Sequence, residues 1–231
     1  RLMNHFYREE DFANLLETAR SEKQWRNLRT YISIFGAYST YMTEHQKLLT
    51  LKFLYELHAH KESDIRVQAG EIVGQIIARF NVEYKKELPE GVRLPRKKIT
   101  NLSLWEKYVR QSLQPDHKLT EQHRRWIGNC LQNMVHGLLN QCHESQRQDY
   151  IESLMPWFGA RNLTPMNKEA LLRAAVMIHP VWCTEKQKNT ILSFAGKIIK
   201  YDEVDWKIAA VRVKEHYSGT GSDGVYSPDY Y

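Results

Sequence analysis

A chain of 231 residues with 42% apolar and 26% charged residues has the material for a large core and too much apolar content to stay disordered. Eleven glycines and seven prolines are too few for collagen-like, linker-like or turn-rich all-β chains. Mean hydropathy is −0.60, and no apolar run approaches the ~18 residues that a membrane helix needs.

Punctuation along the chain is helical. A Ser or Thr followed three residues later by Glu or Gln lets each side chain satisfy an orphan amide at a helix start. The pattern occurs at Ser21/Gln24, Thr43/Gln46, Ser103/Glu106, Ser145/Gln148 and Thr184/Gln187. An apolar run at helical spacing follows each. After Thr43 come Leu48, Leu51, Leu54 and Leu57; after Thr184 come Ile191, Leu192, Ala195, Ile198 and Ile199. Ser63-Asp64, Thr120, Thr164 with Pro165 at the first helical position, and Asp202 or Asp205 are simpler caps. No segment alternates with period two beside a hairpin turn, so no strand is expected.

The starts fall in pairs, near 5 and 21, 43 and 63, 103 and 120, 145 and 164, and 184 and 202. Successive pairs recur about every 40 residues once an insertion of about 20 residues, 81–100, is set aside. The chain is therefore expected to be all-α: a right-handed α-α superhelix of about five helix pairs over residues 1–216, followed by a flexible Gly, Ser and Tyr tail over 217–231. The opening Arg1-Leu2-Met3 is not followed by a secretory leader, and the chain reads as a piece of a longer polypeptide. Three cysteines, Cys130, Cys142 and Cys183, form no CxxC pair. A reducing compartment, the cytoplasm, is the simpler expectation.

Asp64-Ile65-Arg66-Val67-Gln68-Ala69-Gly70-Glu71-Ile72-Val73-Gly74 resembles the second helix of a HEAT repeat, in which Asp-Val-Arg precedes an Ala, an aliphatic pair and a Gly. The resemblance implies that Asp64 caps amides, that Arg66 bridges to a neighbouring repeat, and that Ala69 and Gly74 admit close helix approach. Asp205-Trp206-Lys207-Ile208-Ala209-Ala210 is a looser copy, with Asp205 and Lys207 in the two charged positions. Residues 44–94 also resemble a segment of large multidomain proteins of clostridial-type bacteria, labelled cytidyltransferase-related, some with a phosphohydrolase module. That resemblance implies that any nucleotidyltransferase or phosphohydrolase chemistry belongs to other modules of the parent protein.

No GxGxxG, P-loop, GxSxG or HExxH occurs, and Asp116-His117 reverses the phosphohydrolase doublet. His58 and His60 with Glu56 and Glu62 are the densest metal-like cluster, but i,i+2 spacing on a helix points the two imidazoles apart. Cys130, Cys142 and His143 would need a fourth ligand for zinc. No cofactor or metal is expected. Six tryptophans, Trp25, Trp105, Trp126, Trp157, Trp182 and Trp206, fall about once per helix pair, as inter-repeat core or as anchors on a concave face.

The net charge of +6 is the main functional signal. Arg93, Arg96, Lys97 and Lys98 crowd the insertion, and Arg124 and Arg125 open a later helix. These six are the candidate binding residues, for phosphate or for an acidic partner. The leading expectation is a non-catalytic scaffold that binds a protein partner or neighbouring modules of its own polypeptide, without a membrane. The alternative is a nucleic-acid binder, either a simple backbone binder or similar to HEAT-like DNA glycosylases.

Overall fold

The computed structural model describes residues 9–81, 99–202 and 204–219. Eleven α-helices fill them, with no strand among the described residues. They are α1 (Glu9–Ser21), α2 (Trp25–Tyr38), α3 (Glu44–Glu56), α4 (Ser63–Ala78), α5 (Asn101–Leu113), α6 (Glu121–Asn129), α7 (Leu131–Gln141), α8 (Glu144–Phe158), α9 (Pro165–Ala175), α10 (Glu185–Tyr201) and α11 (Val204–Ser218). The chain is all-α. Of the insertion expected over 81–100, residues 82–98 lie outside the described residues, as do residues 220–231 of the tail expected over 217–231; Tyr217 and Ser218 belong instead to the end of α11, where Tyr217 is buried.

Several starts follow directly from their caps. Thr43 and Thr184 form reciprocal capping boxes with Gln46 and Gln187. Thr120 and Thr164 each accept the third amide of α6 and α9. Others are set by less familiar chemistry. The cap of α5 lies three residues ahead of the expected Ser103, because Thr100 pairs reciprocally with Ser103. α8 is capped by the ring of His143, whose Nδ1 accepts the Ser145 amide at 3.2 Å. Ser21 closes α1 and caps nothing, and Gln24 precedes α2 without a side-chain cap. The run expected as one helix from Thr120 is divided at Cys130, whose carbonyl accepts the amides of both Asn133 and Met134.

Two series of helices run through the molecule. α2 packs on α4, α4 on α7, α7 on α9 and α9 on α11. Beside them α1 packs on α3, α5 on α8 and α8 on α10. Phe12, Phe35 and Phe53 pack edge to face between α1, α2 and α3; Trp105 packs against Tyr150 between α5 and α8, and Phe158 against Phe194 between α8 and α10. Trp105 is fully buried, and its indole Nε1 donates to Ser153 Oγ at 3.0 Å, which satisfies its one polar atom.

The α4–α7 seam is the closest contact. A Cβ on Gly74 would fall inside van der Waals distance of the Met134 carbonyl and 2.7 Å from the Leu138 amide. A Cβ on Gly137 would strike the backbone of Glu71. Gly70 sits against Asn133, whose Cβ would be 2.8 Å away. Three glycines thus bring two backbones together where no larger residue fits. Polar ties hold the base of the basic insertion. The buried Lys47 ammonium donates to the Phe80 carbonyl at 2.9 Å, and Asn101 Nδ2 donates to the Ala78 carbonyl at 3.2 Å.

Candidate binding surface

Arg66 near the start of α4, Arg124 and Arg125 near the start of α6, and Lys168 and Arg173 on α9 are five cations of neighbouring helices. Arg66 lies with its guanidinium 4.2 Å from the centre of the Trp126 ring. Its Nη1 donates to the carbonyls of His60 at 2.8 Å and Lys61 at 3.0 Å. It thus joins α4 to α6 by stacking, where the HEAT-like pattern implies a bridge to an acidic residue. Asp64 is exposed in the first turn of α4, behind Glu62 at the N-cap. Ala69 is fully buried, and Gly74 makes the seam. Lys207 is half-buried in the first turn of α11, next but one after Asp205.

Of the six candidate cations, Arg93, Arg96, Lys97 and Lys98 lie outside the described residues. Arg125 is described and engaged. Its Nε and Nη2 donate to both oxygens of Glu169 at 2.9 Å. Arg173 approaches the same carboxylate at 3.3 Å. Glu169 is only 5% exposed. Burial alone would push its pKa up; the fork of Arg125, with Arg173 and Asn129, more than reverses this and holds the carboxyl below its ordinary range. Next to it on α9, Lys168 pairs with Asp202 at 2.9 Å. Arg124 is half-buried, and its Nε has no partner among the described residues. Two carboxylates thus meet three of these five cations, Arg125, Arg173 and Lys168.

Glu169→Gln is expected to lower stability by about 1–2 kcal/mol, the exposure of both arginines moderating the loss. That corresponds to a fall of roughly 3–6 °C in the thermal midpoint by circular dichroism. A depressed carboxyl stabilises above its unfolded pKa, and the effect fades as pH falls through the folded value. The difference between the two chains should accordingly shrink towards pH 3. An unchanged midpoint at pH 7 would show that the fork contributes nothing.

The metal-like residues diverge. His58 lies in the turn Leu57–Ala59 and is fully buried; Nδ1 of His60 accepts the Glu62 amide; Glu56 pairs with Arg20 at 2.7 Å. Among the described residues no three of His, Cys, Asp and Glu converge. Cys130, Cys142 and Cys183 are all buried, and burial pushes the Cys130 thiol to about 12 and the Cys183 thiol to about 11. These thiols are poor nucleophiles at neutral pH. Around His58 stand Tyr55, its ring 4.8 Å away, and Cys130, whose sulfur is 4.0 Å from the His58 carbonyl. Tyr55 shares a hydrogen bond with Ser112 at 3.2 Å, and burial raises its pKa despite that bond.

The tryptophans divide between the two expected roles. Trp105 is core. Trp126 carries Arg66 on its ring, and Trp182 carries Arg147 at 4.2 Å. Trp157 and Trp206 pack half-buried against the core. Two features appear only in the structure. One is an open groove of about 550 Å³ between the end of α8 and α10, with Phe158 and Phe194 at its base and Lys186 and Lys197 on its walls. The other is an uncovered apolar stripe on α11, formed by Val204, Ile208 and Val211. Its i, i+4, i+7 spacing is legible in the sequence as an apolar face, but only packing shows that face to be the outer one. No family model, no curated protein and no solved structure matches the chain.

Proposed function

We propose that this chain is a HEAT-like α-solenoid that acts as a non-catalytic scaffold, docking other protein segments within a larger cytoplasmic protein of the cytidyltransferase-related kind. The observation that carries this reading is the order of contacts: α2, α4, α7, α9 and α11 each lie against the next in the series. Stacked pairs of this kind make an extended surface rather than a single closed site. The pairing of Arg125 with Glu169 and of Lys168 with Asp202 also favours a protein partner over a phosphate backbone, since cations already neutralised release few counterions on binding nucleic acid.

Titration of the full chain with a fluorescent DNA duplex and a fluorescent RNA duplex at low and moderate salt tests the reading. The expected result is no saturable binding at either salt. Saturable binding that weakens steeply with salt, and is lost in the triple variant Arg96→Glu, Lys97→Glu, Lys98→Glu, overturns it in favour of nucleic-acid binding through the insertion.

A further inference from the structure

The open groove between the end of α8 and α10 has an apolar base and cationic walls. Phe158 and Phe194 meet edge to face at its base, 3% and 4% exposed. Lys186 and Lys197 stand exposed on its walls, with Asn189 and Ser193 exposed between them. By helical position these four form one strip of α10. The volume of about 550 Å³ falls in the range of ligand sites, roughly 300–1,000 Å³.

The strip is positive and uncompensated. Neither Lys186 nor Lys197 forms an ion pair among the described residues. The carboxylates nearest in the chain are engaged. Glu185 pairs with Lys188 at 2.9 Å, Glu152 accepts from the Gln187 amide at 2.8 Å, and Asp202 pairs with Lys168 at 2.9 Å. Lys200, one turn beyond Lys197, and Arg161, two residues beyond Gly159, are exposed and add positive charge. The helix dipole accounts for cations in the last turn of α10, but it opposes one in the first turn, where Lys186 lies.

An acidic peptide segment fits these groups. Lys186 and Lys197 are separated by about 16 Å along α10, too far to share one anion and about the span of five extended residues. Asn189 and Ser193 offer an amide and a hydroxyl to a peptide backbone lying between the lysines. A single-stranded nucleic acid fits less well, because its bases need an open aromatic face and the two phenylalanines are packed on each other.

We propose that this groove docks an extended acidic segment of a partner protein, with carboxylates at Lys186 and Lys197 and apolar side chains towards Phe158 and Phe194. The inference rests on the reading of the chain as a protein-docking scaffold and names the chemistry of one partner.

The probe is a fluorescein-labelled peptide of ten alternating Glu and Leu residues, titrated with the full chain and followed by fluorescence anisotropy. The expected result is saturable binding that weakens at least about tenfold when Lys186→Glu and Lys197→Glu are combined. A second double variant, Lys52→Glu with Lys118→Glu, changes the net charge equally at exposed positions on other elements and should bind as the original chain does. Absence of peptide binding, or equal weakening in the two double variants, overturns the proposal. Displacement of the peptide by an equimolar oligothymidylate also overturns it, and assigns the groove to nucleic acid. Duplex titration decides the scaffold reading separately: a chain that binds neither peptide nor duplex loses the groove assignment and keeps the scaffold one.

Discussion

Alanine at Gly137 is expected to lower the unfolding midpoint by roughly 4–8 °C, a large loss for one added methyl group. The new Cβ would meet the Cα, the carbonyl carbon and the carbonyl oxygen of Glu71. These are backbone atoms in the middle of α4 and cannot swing aside as a flexible side chain can. Relief requires α4 and α7 to separate along the seam at the centre of the series α2, α4, α7, α9 and α11. Overpacking of this kind costs about 1–3 kcal/mol or more, against which the better helix propensity of alanine returns up to about 1 kcal/mol. Gly74→Ala meets the Met134 carbonyl and the Leu138 amide and should behave alike. Gly196 supplies the contrast. It lies on the exposed side of α10 with nothing within 4 Å of its missing Cβ. Gly196→Ala should raise stability by about 0.5–1 kcal/mol through helix propensity and a less flexible unfolded chain. Urea and thermal unfolding of the three variants measure this directly. A Gly137→Ala chain as stable as the original would mean that the seam tolerates a wider spacing.

The same seam shows what the sequence discloses and what it withholds. Gly74 belongs to a pattern whose spacing around Ala69 already marks a close helix contact. Gly137 lies in no such pattern, and its need for glycine arises from Glu71, 66 positions away in the chain. Helix starts with a Thr cap and a Gln, Asn or His amide within reach were legible, because the interaction closes within four residues. The start at Thr100 was displaced because its reciprocal partner is Ser103 in place of a longer acid or amide, and the start of α8 because an imidazole takes the place of a hydroxyl. Charge was legible only as composition. Arg125 stands out in the sequence as half of an arginine pair, while the Glu169 that neutralises it is 44 residues further on. The outer face of α11 required knowledge of which face packs, since Val204, Ile208 and Val211 read equally well as core.

His58 is expected to dominate the acid limb of the stability curve. The sequence sets it beside Glu56, His60 and Glu62, in what reads as a polar helix end. The short turn Leu57–Ala59 instead points the imidazole inward, where it is fully buried and neither ring nitrogen has a hydrogen-bond partner among the described residues. Burial pushes its pKa from the ordinary 6.5 down to about 3. The unfolded chain takes up the proton near pH 6.5 and the folded chain does not. Stability from this group is therefore full above pH 6.5 and is lost progressively as the pH falls towards 3. Two pH units below the unfolded value, near pH 4.5, the loss is about 3 kcal/mol. His136 acts in the opposite sense. Its Nδ1 lies 3.5 Å from Glu71, a contact that raises its pKa, so its contribution is full below the unfolded value and fades as the pH rises through the folded one. His58→Leu replaces the unpartnered imidazole by an apolar side chain of similar size. At pH 7 it should be near neutral or slightly stabilising, because no hydrogen bond is lost. Between pH 6.5 and 4.5 its stability should decline by about 3 kcal/mol less than that of the original chain. His60, His136 and His216 are common to both chains and cancel in the difference. Urea midpoints at pH 7, 6, 5 and 4.5 give the two curves. Curves that fall in parallel would place the acid-sensitive group elsewhere and leave His58 without a part in the pH response.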